Sequence, residues 1–181
     1  MNTRMFFTNS AAIAVVALVA VTVACTRSEI SSKSSAQEQL DAMDTRRSVP
    51  LIPMMANHQK ENMRDHLVVV QEIVEALAIG DFVAVEKSAS RISYSEKQAQ
   101  MCAHMGAGAE GFSDLGADFH RTADSIVSAA KTKDVEATLK AVSDTLARCT
   151  SCHSQYRQDI VDKKEWQTLT GKEMKGSGPV H

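Results

Sequence analysis

The chain has 181 residues, and 20 Lys and Arg against 22 Asp and Glu give it a formal net charge of −2. This balance argues against a nucleic-acid binder, which needs a clustered basic surface to neutralise phosphates. Aromatic residues make up only 4% of the chain, whereas alanine, leucine, valine and methionine are plentiful, so helices are favoured over strands. The 4 cysteines are too few for a disulfide-built scaffold of this length, and each must be interpreted separately.

The N-terminus has the pattern of a bacterial export signal. Arg4 precedes an apolar run that ends at Ala24 and is too short for a mature membrane-spanning helix. Residues 1–24 are therefore predicted to be a signal peptide. The sequence from Thr22 to Cys25 resembles a lipobox, which predicts acylation of Cys25 and a lipid anchor on the periplasmic side of a bacterial membrane. The alternatives are ordinary cleavage after Ala24, which gives a soluble periplasmic protein, and an uncleaved anchor.

Three regions follow the signal. Residues 25–49 are rich in serine and charged residues and lack apolar periodicity. Such a segment cannot bury enough surface to offset the entropy of ordering it, so a flexible tether is predicted. The folded domain is predicted to span residues 50–166, and a polar, disordered tail to span residues 167–181.

Four amphipathic helices are predicted within the domain, and no stretch shows the sustained alternation of a strand. The first ends at Gly80; Asp81, Ser113 and Asp134 are the predicted N-caps of the others, and the second continues towards Met101. Short connections predict an antiparallel four-helix bundle, an all-α fold. The apolar stripe of the first helix comprises Met63, Leu67, Val70, Val74 and Leu77; that of the fourth comprises Val135, Leu139, Val142, Leu146, Cys149, His153 and Tyr156.

The fourth predicted helix carries a Cys-x-x-Cys-His motif, the attachment signature of c-type haem. Cys149 and Cys152 lie on one side of a helical turn and can bond to the two vinyl groups of one haem, while His153 can ligate the iron. A thioredoxin-like redox pair would need the motif at a helix N-terminus, a zinc site would need a second ligand pair, and a plain disulfide would leave His153 without a role. The motif therefore predicts one covalent haem c per chain.

The segment from Cys149 to Arg157, with the motif on the last helix of a four-helix bundle, resembles the class II c-type cytochromes, which comprise cytochrome c′ and its low-spin, methionine-ligated relatives. The resemblance covers roughly residues 50–165. It implies that the first helix supplies the group on the distal side of the iron, at or within a residue of Met63. Arg157 follows the proximal histidine by four residues and could pair with a haem propionate or lie exposed on its helix.

The distal group would decide the mechanism. Met63 on the iron opposite His153 would give a low-spin haem of raised potential, suited to electron transfer. An apolar, non-ligating residue would leave a five-coordinate iron that binds nitric oxide or carbon monoxide. Met63 could also simply fill core space, and His66 could replace it as a ligand; His58, His104 and His120 are expected to be satisfied locally. The sequence assigns no role to Cys102.

These observations predict an exported monohaem c-type cytochrome that exchanges electrons with redox partner proteins. Paired carboxylates, a Ser/His dyad and a phosphate-binding loop do not stand out in the sequence, so an enzyme is not expected. The alternatives are a gas-binding haem protein of the cytochrome c′ type and a haem-free helical lipoprotein that acts as an interaction module. Many class II cytochromes are homodimers through their first two helices, so a homodimer is a further possibility.

Overall fold

The structure is a computed structural model that describes residue 36 and residues 38–173. The predicted signal peptide, Cys25 and residues 174–181 lie outside the described residues. The chain divides into two compact units, Met1–Thr45 and Arg46–His181. In the first unit, residues 38–43 are helical, within the segment predicted to be a flexible tether.

The described part of the second unit is mostly helical, as the all-α prediction requires. Its elements, in chain order, are β1 (Arg47–Leu51), α1 (Pro53–Ala78), α2 (Phe82–Ser90), α3 (Glu96–Met105), α4 (Phe112–Thr132), α5 (Val135–Gln155), β2 (Tyr156–Ile160) and α6 (Lys163–Thr170). Helix α4 contacts α2, α3 and α5, and α1 contacts α2. The antiparallel arrangement of a four-helix bundle stays a prediction. No helix in the described ranges is long and apolar enough to span a membrane.

The helix starts follow from capping residues, with one exception. The carboxylates of Asp81 and Asp134 accept hydrogen bonds from backbone N–H groups three residues later, which confirms both as N-caps. Ser113 is not a cap, because α4 already begins at Phe112. Gly111 is the residue before α4, with a φ of 78° that favours glycine.

The second predicted helix is divided into α2 and α3. Ser95 caps α3 by accepting a hydrogen bond from the Gln98 N–H, so a new helix begins there. The segment between the two helices is held by α4, where Asp124 accepts a hydrogen bond from the Tyr94 N–H at 3.1 Å. Continuous helix towards Met101 was wrong because these side-chain bonds compete with helical ones.

The buried face of α1 differs from the predicted stripe. Leu77 is buried and Val70 is half-buried, but Leu67 is 67% exposed and Val74 is 48% exposed. The residues of α1 that are buried are Met55, Ala56, Gln59, Val69, Ile73, Ala76 and Leu77. The helix is therefore rotated relative to the prediction, because its many valines and leucines allow more than one apolar face.

A parallel two-stranded sheet, absent from the predictions, joins the two ends of the domain. Strand β1 pairs with β2 in a register that runs from Arg47 opposite Tyr156 to Leu51 opposite Ile160. The folded unit therefore begins before residue 50, and its first strand includes residues predicted to be tether. Helix α5 stops at Gln155 because Tyr156 has extended backbone angles and buries its ring.

Two hydrophobic clusters support this arrangement. One lies among α1, α2, α4 and α5, and includes Val69, Ile73 and Ile126. The other lies around the sheet, and includes Leu51 and Trp166, both 0% exposed. Trp166 lies in α6, which runs on to Thr170, so the helical chain extends beyond the predicted end of the domain at residue 166 and the tail prediction was wrong for residues 167–170.

Candidate functional site

The Cys-x-x-Cys-His motif occupies the C-terminal turns of α5. Cys149 and Cys152 are half-buried, and His153 is exposed. Neither thiol is in a disulfide, so both are available for covalent bonds to another group. The spacing of three residues places the two sulfurs on the same side of the helix. The three residues of the motif therefore face one region of the molecule, as its sequence predicts.

A cleft with a volume of about 270 Å³ opens beside the motif. This volume lies just below the range of roughly 300–1,000 Å³ typical of small-molecule pockets. The cleft is bordered by Met63 of α1 together with Cys149, Cys152 and His153 of α5. Four residues that sequence reasoning placed at one site are thus brought together. The apolar part of the lining comes from Met101, Met105, Phe112, Leu115 and Phe119.

The acidity of the motif thiols argues against a thioredoxin-like pair. Burial raises the pKa of Cys149, and it raises the pKa of Cys152 together with the negative charges that Cys149 and Cys102 would carry as thiolates. Reactive redox cysteines instead have a lowered pKa, commonly at a helix N-terminus. Here the motif lies at a helix C-terminus, where the helix dipole disfavours a thiolate.

Cys102 is a third thiol in the same cleft. It lies on α3, is half-buried, and its pKa is raised by burial. Gly116 of α4 leaves room for it, because a β carbon there would lie 3.0 Å from the Cys102 sulfur. Its position escaped the sequence analysis because nothing in the local pattern shows that α3 faces the motif helix.

Three rings form an aromatic cluster in the wall of the cleft. The His66 ring stacks on Phe119 at a centroid distance of 4.7 Å and meets His120 edge-on at 5.5 Å. Burial and the neighbouring His120 lower the pKa of His66 to about 4, against a smaller raising effect of Asp65. Burial also lowers the pKa of His120. Both imidazoles are therefore neutral at neutral pH.

The other histidines differ in their contacts and in whether they border the cleft. His120 is buried, and its Nδ1 lies 2.8 Å from the Ile92 carbonyl oxygen, so an N–H at Nδ1 donates to that oxygen. Its Nε2 then carries a lone pair, the form that ligates metals. His58 and His104 are absent from the lining of the cleft. His104 instead lies beside Trp166, at a ring distance of 5.5 Å.

Two arginines of the described residues border the cleft, and Arg157 is not one of them. Arg148 directly precedes Cys149 and pairs with Asp118 through one nitrogen at 3.2 Å, so other donors of its guanidinium remain for a second carboxylate. Arg91 is held more fully, by Asp65 at 2.8 Å and Glu72 at 2.6 Å. Arg157 lies in β2, and its buried Nε has no hydrogen-bond partner among the described residues. Arg148 could have been found in the sequence from its position beside the motif.

The donor set fits a covalently held haem. The uncrosslinked thiols of Cys149 and Cys152 border the cleft together with the His153 imidazole and the Met63 thioether, and much of the surface of the cleft is apolar. Within the described ranges, no group of three or more His, Cys, Asp or Glu side chains could hold a metal ion by itself. Iron held here would therefore need the porphyrin as well as axial ligands from the chain.

Comparison with known proteins agrees with this chemistry. The family model described as Cytochrome C′ matches residues 37–157, which is well over half of the chain. Comparisons with curated proteins and with solved structures give no match. The matched range includes Met63 and the whole Cys-x-x-Cys-His motif. The chain therefore belongs to the cytochrome c′ family, and a covalently bound haem c is the cofactor that this family implies.

Proposed function

We propose that this protein is an exported monohaem c-type cytochrome that transfers electrons. Cys149 and Cys152 hold the haem, His153 is the proximal ligand and Met63 is the distal ligand. The observation that carries the proposal is that Met63, on α1, borders the same cleft as the motif on α5. A thioether opposite an imidazole favours the reduced iron and raises the reduction potential.

The residues around the cleft suit this role. The haem, when bound, supplies the one-electron oxidation and reduction. The apolar side chains of Phe112, Leu115 and Phe119 exclude water, and the neutral His66 and His120 add no charge to the wall. Arg148 has guanidinium donors that suit a haem propionate. We retain Arg157 as the other propionate candidate from the sequence, although it does not border the cleft.

The absorption spectrum of the haem-loaded protein tests this proposal. Oxidised, reduced and carbon-monoxide-treated reduced samples are compared. We expect a low-spin spectrum with a weak far-red sulfur-to-iron band and little response to the gas. A high-spin spectrum that shifts on adding carbon monoxide would instead establish the gas-binding alternative, and absence of covalent haem after competent maturation would favour a haem-free interaction module.

We further propose that the mature protein is held by a lipid on Cys25 at the periplasmic side of a bacterial membrane, where redox partner proteins would reach it. The support is the sequence alone, since residues 1–24 and Cys25 lie outside the described residues. Fractionation checks it: Cys25→Ala is expected to move the haem-containing protein from the membrane fraction to the soluble one. Unchanged membrane association would contradict acylation and favour an uncleaved anchor.

We also propose that the protein forms a homodimer through the exposed apolar face of α1. Leu67 and Val74 lie seven residues apart on one side of this helix, and they are 67% and 48% exposed. Leu67→Glu is expected to shift the protein from dimer to monomer in sedimentation-velocity experiments, because a carboxylate would be buried against apolar residues. The matched control is Leu139→Glu on α5, where the leucine is 47% exposed. A monomeric wild-type protein would contradict the proposal.

A further inference from the structure

The start of strand β1 and the residue before it form hydrogen bonds with the C-terminal end of α5, the helix that carries the haem-attachment motif. The Arg46 guanidinium donates to the His153 carbonyl oxygen at 3.1 Å. The next residue, Arg47, donates to the Gln155 side-chain oxygen at 3.0 Å and lies over the Tyr156 ring at 4.2 Å. Arg46, which directly precedes β1, and Arg47, the first residue of β1, thus contact the last residues of α5 and the first residue of β2.

A second set of bonds ties the same end to the loop before α4. Arg47 also donates to the Glu110 carbonyl oxygen at 3.3 Å, and the Tyr156 hydroxyl donates to that oxygen at 2.6 Å. The Tyr156 ring packs edge-on against Phe112 at 5.3 Å. The parallel pairing of Arg47 with Tyr156 holds these groups in register. The C-terminal end of α5 and the residue that follows it are therefore bonded both to the start of β1 and to the loop before α4.

This end of α5 needs such support. The last carbonyls of a helix have no partner within the helix, and an unsupported last turn frays. His153 lies in that last turn, and its ring makes no hydrogen bond to any residue between 38 and 173. A metal-ligating histidine is commonly oriented by a hydrogen bond to its second ring nitrogen. Since the described residues give the His153 ring no such bond, the position of its backbone contributes to the orientation of the ring.

We propose that Arg46 and Arg47 are positioning residues for His153. By holding the backbone of the last turn of α5, they fix the direction in which the imidazole meets the iron. The inference rests on one part of the proposed function, the assignment of His153 as proximal ligand, and is independent of Met63. It gives the strand before α1 a role in setting the properties of the haem.

The positive charge of Arg46 and Arg47, rather than their contacts, could equally explain an effect of these residues on the haem potential. A cation near the haem favours the reduced state wherever its exact contacts lie. Lysine keeps the charge but lacks the planar fork that donates to two oxygens while lying over a ring. Arg47→Lys therefore separates the two explanations: it should behave like Arg47→Gln if positioning matters, and like the wild type if charge alone matters.

The experiment uses the full-length, haem-loaded protein and its Arg46→Gln, Arg47→Gln and Arg47→Lys variants. The matched control is Arg121→Gln, which removes an exposed arginine that lies 5.9 Å from the Tyr94 ring and does not border the cleft. The electron paramagnetic resonance spectrum of the ferric haem reports the orientation of the axial imidazole. A redox titration gives the midpoint potential, and circular dichroism restricts the comparison to variants that keep the wild-type fold.

We expect one ferric signal from the wild type and from Arg121→Gln. The three variants of the arginine pair should give broadened or split signals and redox titrations that span a wider range of potential. Wild-type signals from all three, or a shifted potential in Arg47→Gln that Arg47→Lys restores, would overturn the inference. If the wild-type iron is high-spin, so that Met63 ligation fails, the iron–histidine stretching band of the ferrous protein replaces the ferric signal, with the same expected broadening.

Discussion

Met63→Ala is expected to convert a low-spin haem into a high-spin one that binds carbon monoxide. The substitution removes the thioether from the cleft while leaving Cys149, Cys152 and His153 in place. The sulfur-to-iron band should disappear, and the midpoint potential should fall because the thioether no longer favours the ferrous state. A fall on the order of 0.1 V is reasonable, since axial ligands set haem potentials over a range of about 0.8 V. Absorption spectra and a redox titration measure these changes.

The controls for Met63→Ala use other potential ligands in the cleft. Met101→Leu removes a second cleft thioether and is expected to keep the wild-type spectrum. His66→Phe tests the bis-histidine alternative, in which this variant and not Met63→Ala becomes high-spin. A low-spin Met63→Ala protein that becomes high-spin only when His120 is also replaced would show that His120 can take the vacant position.

The attachment motif could be predicted from the sequence because its chemistry is local. Cys149, Cys152 and His153 lie within five consecutive residues, and helical geometry alone puts the two thiols on one side. Asp81 and Asp134 were likewise predictable as caps, since an N-cap bonds to a backbone group three residues away. Each of these features depends on a short segment only.

The sheet and the rest of the cleft depend on contacts between distant segments. Arg47 pairs with Tyr156, although most of the domain lies between them in the sequence. Strand β1 also contains Pro50 and shows no clear alternation of polar and apolar residues. Cys102 and His120 reach the cleft because α3 packs against α4 and α4 packs against α5. Periodicity shows that a helix has an apolar face, but it does not show which helix covers that face.

The face of α1 shows the same limit within a single helix. The spacing of Leu67 and Val74 fits a buried stripe, and so does that of Val69 and Ile73, which are the ones fully buried. A helix with apolar residues on more than one side can be rotated without losing its amphipathic pattern. The packing of α2, α4 and α5 around it selects the face. Met63 belongs to the predicted stripe, and it borders the cleft although that stripe is not the buried face.

The stability of the protein is expected to fall between pH 6.5 and pH 4 because of His66. Its pKa is lowered from 6.5 to about 4, mainly by burial and then by His120. In the unfolded chain His66 therefore binds a proton below pH 6.5, whereas in the folded chain it binds one only below about pH 4. The stabilisation is complete above pH 6.5, is lost as the pH falls through this window, and amounts to about 3 kcal/mol. Urea unfolding at a series of pH values measures it.

Carboxylates also titrate in this window, so the test compares variants rather than single curves. His66→Phe keeps an aromatic ring on Phe119 but cannot bind a proton. Between pH 6.5 and pH 4 its free energy of unfolding should therefore change with pH less steeply than that of the wild type, by the contribution of about one bound proton. Parallel curves for His66→Phe and the wild type would show that His66 is free to protonate in the folded protein. His66, assigned as neutral in the folded protein, would then carry a positive charge in acid, in the same cleft as the proposed distal ligand.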